Sequence, residues 1–144
     1  MADDEPPRRK LFVYGTASIV ILVVGLTLLG SRKKNELRMC ASALLYMPHA
    51  ASKEFYELER MGSAPSRDKL REAVNGKEFQ ARTKGCPKAG KIEVQVATEG
   101  SLNDDRSYSA RCTIHGDLEA LRKALGDEEF KKVQDTVKVG SRFL

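Results

Sequence analysis

The chain opens with a polar stretch and then carries no charge from Leu11 to Gly30 (LFVYGTASIVILVVGLTLLG). A helix rises ~1.5 Å per residue, so a run of that length reaches ~30 Å, the thickness of a bilayer's hydrocarbon core. The pattern predicts a flexible polar tail over 1–10, a transmembrane anchor over 11–30 and a small soluble domain over 31–144. Within the anchor, Gly15, Ser18 and Gly25 fall on one seam with Leu11, Leu22 and Leu29. Small residues on a seam let a second helix approach closely in lipid.

After Asn35 the apolar positions keep a helical period: Leu37, Cys40, Ala41, Leu44 and Leu45, then Ala51, Phe55, Leu58 and Met61. Pro48 is expected to break or kink this helix. The stretch Gly62 to Ser66 reads as a turn, with Ser66 capping a short helix that buries Leu70, Ala73 and Val74 and ends at Asn75-Gly76.

The period then changes to two. Ile92, Val94 and Val96 alternate with polar residues, as do Tyr108, Ala110, Cys112 and Ile114. The turn-rich stretch 98–107 joins them, which predicts an antiparallel hairpin with a long loop. Its acidic residues lack the alternating oxygen ligands of a calcium loop. Beyond Gly116, Asp117 caps a helical stripe of Leu118, Leu121 and Leu125, and Phe130, Val133 and Val137 follow a break at Gly126-Asp127. The expected fold class is α+β: one transmembrane helix continuing into a helical segment, then a small antiparallel hairpin or sheet with C-terminal helices.

Charge changes this picture little. The formal net charge is +5, and residues 1–30 hold three acidic and three basic side chains, so the excess lies in 31–144. Arg32, Lys33 and Lys34 follow the anchor directly, where anionic headgroups would attract them. Basic residues flank the run almost evenly, so charge does not set its orientation. No basic stretch is interleaved with aromatics, and nucleic acid is not an expected partner. The expected partners are the lipid bilayer and other membrane subunits or copies of the chain.

Three cysteines and two histidines supply the candidate chemistry. Cys86 precedes the first strand and Cys112 lies near the end of the second, places that a hairpin brings side by side. A disulfide between them is expected, with Cys40 free; enclosing 25 residues, it would contribute ~3.5 kcal/mol in the chain-entropy picture. Cys112-x-x-His115 with Cys86 also reads as part of a zinc site, its fourth ligand borrowed from Cys40 or His49. Against that, residues three apart on a strand face opposite sides unless the strand has ended. The same geometry disfavours a Cys–His nucleophile. No serine elbow, phosphate-cradling glycine loop or paired-carboxylate signature occurs, so neither catalysis, a metal nor another cofactor is expected.

Cys86-Pro87-Lys88-Ala89-Gly90, followed after the loop by Cys112-Thr113-Ile114-His115-Gly116, resembles the C-terminal signature of bacterial type IV pilin-like and pseudopilin-like proteins. The resemblance covers roughly 30 residues and implies a hairpin outside the cytoplasm, on the periplasmic side of an inner membrane. It makes Pro87, Gly90 and Gly116 turn residues. The acid of a prepilin helix is missing here: the fifth residue after Gly15 is Val20. The expected function is therefore a single-pass, membrane-anchored structural or assembly protein with a pilin-like domain. The alternative is an accessory subunit of an integral membrane complex, and a zinc-binding or redox module stands third.

Overall fold

A computed structural model of the chain describes the backbone of residues 8–62 and 64–141, and the side chains of 22–62 and 64–138. The chain divides into two compact units, 1–34 and 35–144. Helix α1 (Arg8–Arg60) is followed by α2 (Arg67–Asn75), α3 (Lys77–Arg82), β1 (Ile92–Val96), β2 (Tyr108–Cys112), α4 (Leu118–Leu125) and α5 (Asp127–Ser141).

The α+β character holds, but the transmembrane assignment does not. Among the described residues no helix is long and apolar enough to cross a membrane. This corrects the transmembrane helix expected over 11–30. Side chains of that run are described only from Leu22 onward. Gly15 and Ser18, placed on a packing seam by the sequence, lie outside the described side chains. Gly25 lies within them, and a Cβ built there meets nothing within 4 Å. Arg32, Lys33 and Lys34 are exposed on α1.

The second unit is organised around the later part of α1. Cys40, Ala41, Ala43, Leu44, Met47, Ala50, Ala51 and Phe55 are buried in one core with the inner face of the hairpin. Their spacing of three and four places them on one helix face. Pro48 lies inside the helix, so the break, one of the two outcomes expected of it, does not occur. Proline removes one backbone donor, but Leu44, Met47 and Ala51 are fully buried on either side and hold both parts on the same core. Met61 is exposed, so the stripe stops at Leu58.

Strands β1 and β2 pair antiparallel, with Ile92 opposite Cys112, Val94 opposite Ala110 and Val96 opposite Tyr108, all six buried. The outer edge of β1 is covered by side chains. Asn75 at the end of α2 both donates to the Val94 carbonyl and accepts from the Val94 N–H, each at 2.9 Å. Gln80 on α3 donates to the Ile92 carbonyl at 3.0 Å. These amides act as a third strand where a two-stranded ribbon would leave its groups unpaired.

Helix α2 starts where expected, with Ser66 accepting from the Lys69 N–H. Its neighbour α3 is a helix the apolar pattern does not show, because it buries one residue, Phe79. In the long loop the Tyr108 hydroxyl donates to the Leu102 carbonyl at 2.6 Å. Burial pushes this phenol up to about 12, so it keeps the proton it donates. Asp117 caps α4 by accepting from Ala120 N–H at 2.9 Å, and Gly126 at φ 84° joins α4 to α5. Leu121, Leu125, Phe130 and Val133 are buried. Arg38 of α1 donates to the Glu129 carboxylate of α5; with help from Lys132, it holds that carboxyl down at about 2.

The Asn75 bridge yields a stability prediction. Replacing Asn75 by Leu orphans two backbone groups of Val94 and should cost about 1–3 kcal/mol in urea unfolding. The control Asn103→Ala, on the exposed loop, should change stability by less than ~0.5 kcal/mol.

Candidate metal centre

All three cysteines are free and buried. The Cys86–Cys112 disulfide expected from the hairpin is thereby corrected: the two residues are neighbours, but as thiols. The reason is the company they keep. Cys40 Sγ, Cys86 Sγ, Cys112 Sγ and a His115 ring nitrogen all lie within 4.8 Å of one another. His115 Nδ1 is 3.2 Å from Cys86 Sγ and 3.7 Å from Cys112 Sγ. His49, the other histidine, stands elsewhere, against Asp105.

Each donor is placed by local structure. Cys40 sits on the buried face of α1, one turn before Leu44, at zero exposure. Cys86 opens a turn in which the Ala89 N–H donates to the Cys86 carbonyl at 3.0 Å and Ala89 adopts φ 58°. Cys112 is the last residue of β2, on its inward face. The chain then reverses: Cys112 and Gly116 exchange two backbone hydrogen bonds at 2.8 and 2.9 Å, with Gly116 at φ 81°. This closed turn is why Cys112 and His115 converge. The strand ends at Cys112 instead of running on to Ile114, which is exposed, so the opposite-face argument does not apply.

Glycine makes the room. A Cβ at Gly90 would lie 2.8 Å from Cys112 Sγ and 3.2 Å from Cys86 Sγ. Only a residue without a side chain leaves both sulfurs free to turn toward a common centre.

The electrostatics of the cluster are divided. Burial, reinforced by the sulfurs of Cys112 and Cys86, pushes the Cys40 thiol far above its usual range. Burial also pushes Cys112 up, but the backbone N–H groups of His115 and Ile114 donate to its sulfur and bring it below the ordinary thiol value. Three thiols in one buried site cannot all ionise as neighbours. A divalent cation removes that conflict, because a coordinated thiol is deprotonated by the ion's own charge.

The donor set fits such an ion. Zinc–sulfur bonds of ~2.3 Å and zinc–nitrogen bonds of ~2.0–2.1 Å give tetrahedron edges of about 3.8 Å between sulfurs and about 3.5 Å from sulfur to nitrogen. The sulfur-to-nitrogen separations of 3.2 and 3.7 Å bracket the second value. Three sulfurs and an imidazole suit a borderline-soft ion, whereas calcium and magnesium require oxygen ligands.

A second polar group, His49, Ser52 and Asp105, has the residue types of a hydrolytic triad in the wrong order. The Ser52 hydroxyl reaches the Asp105 carboxylate and the His49 carbonyl, and His49 Nδ1 lies 3.4 Å from Asp105. The hydroxyl thus faces a carboxylate and no imidazole base, an arrangement that pins the loop to α1.

Comparison with protein-family models, with curated proteins and with solved structures finds no match to this chain.

Two outcomes test the geometry. Unfolded without reductant, the chain should titrate three thiols; a disulfide would leave one. Gly90→Ala should lower stability by about 1–3 kcal/mol through overpacking. Gly85→Ala, whose Cβ meets nothing within 4 Å, is the matched control and should be near neutral in the same thermal melts.

Proposed function

We propose that the chain is a structural, non-enzymatic protein whose domain over 35–144 is stapled by one zinc ion held by Cys40, Cys86, Cys112 and His115. The observation that carries this reading is the meeting of those four donors, drawn from α1, the loop before β1, and the end of the hairpin. Four protein ligands close a tetrahedral zinc, and closed sites are structural, whereas catalytic zinc keeps a position for water or substrate. Three of the four donors are themselves buried, in keeping with a staple. The resemblance of the hairpin to pilin-like proteins supports an assembly role for a domain of this kind.

Metal content and thermal stability test the proposal on the full chain. Purified protein should carry one zinc per chain. A strong chelator should lower the melting temperature by about 10 °C or more, since each kcal/mol is worth ~4–8 °C in a domain near this size. Added zinc should restore it, and mild reductant should leave it unchanged. A chain without stoichiometric zinc, whose melting ignores the chelator, would overturn the reading.

A further inference from the structure

We infer that residues 86–115 form a three-ligand half-site able to hold the metal without α1, and that Cys40 of α1 is the ligand that closes it. This rests on the zinc reading above and adds a division of labour among its ligands. Cys86, Cys112 and His115 belong to one continuous segment whose shape is set by its own backbone. The strand register fixes Ile92 against Cys112. Thr113 N–H donates to the Lys91 carbonyl at 3.0 Å, and Lys91 N–H donates to the Thr113 hydroxyl at 3.0 Å, which closes the hairpin end beside the site. The Cys112–Gly116 pair then returns His115 to the sulfurs, and Gly90 keeps the space between Cys86 and Cys112 open. None of these hydrogen bonds involves α1, which meets the Cys86 turn through the Lys88–Glu36 ion pair at 3.1 Å.

Cys40 comes from a separate element. It is carried to the site by the α1 face of Leu44, Met47 and Ala51, which is buried in the shared core. With Cys40 as the fourth ligand, its thiol proton would be lost to solvent and its sulfur would take the position that a water fills in a three-ligand site. The three-ligand, open form is thereby converted into the closed one. Without Cys40 the half-site should persist, with one coordination position free for a small exogenous ligand.

Cobalt(II) titration of the full chain tests this, using its thiolate charge-transfer absorbance and visible ligand-field bands, with far-UV circular dichroism on the same samples. Cys40→Ala should still bind one cobalt, at least about tenfold more weakly, with charge-transfer absorbance about two-thirds of wild type, because two thiolates remain of three. Added azide should shift its ligand-field bands and leave those of the wild type unmoved. Cys112→Ala should bind at least about a hundredfold more weakly than Cys40→Ala. Cys40→Ser, which leaves a smaller void, repeats the measurement. Loss of cobalt from both Cys40 variants as complete as from Cys112→Ala, folded or not, would overturn the half-site. Failure of the wild-type chain itself to bind cobalt or zinc would instead overturn the zinc reading.

Discussion

Two strands make a ribbon that cannot bury its own inner face, and the rest of the domain answers that shortage. Ile92, Val94, Val96, Tyr108, Ala110 and Cys112 are buried in the same core as Leu44, Met47, Ala51 and Phe55 of α1. The outer edge of β1 is shortage of another kind, of backbone partners, and Asn75 and Gln80 supply them from α2 and α3. Once α1 and the hairpin share a core, Cys40 is brought beside Cys86 and Cys112. The thiol cluster is a consequence of how this ribbon is covered.

Much of this was legible in the chain. Alternation located both strands because their outer positions are polar and their inner ones apolar. Ser66 and Asp117 marked helix starts through the hydrogen bonds they accept. What misled was where local pattern and tertiary setting disagree. Ile114 continues the alternation of β2, but its backbone belongs to the turn that Cys112 and Gly116 close. Pro48 has the local chemistry of a helix break, and packing on both sides overrides it. Helix α3 is too short and too polar to show a stripe. The run at 11–30 stands out in the sequence by its length, its apolar residues and its lack of charge, while the described residues contain no helix that meets the requirement for a span.

The site was half legible for a similar reason. Cys86, Cys112 and His115 sit in two short motifs, and their proximity follows from pairing two strands. Cys40 carries no such motif. It occupies an ordinary place in a helical stripe between Leu37 and Leu44, where a small apolar residue would do as well. Its role depends on which element α1 packs against, and that is a property of the fold.

The two glycine-bearing motifs therefore have a double use. As turn signals, Cys-Pro-x-x-Gly and Cys-x-x-His-Gly shape the ends of the hairpin, and a disulfide between their cysteines would be satisfied by that much. It would leave the buried Cys40 thiol and the imidazole at 3.2 Å from Cys86 with no part to play. A tetrahedral ion would use all four donors, offset the charge that burial would otherwise forbid, and add to the shared core a direct link between α1 and the hairpin that a disulfide confined to the hairpin would not.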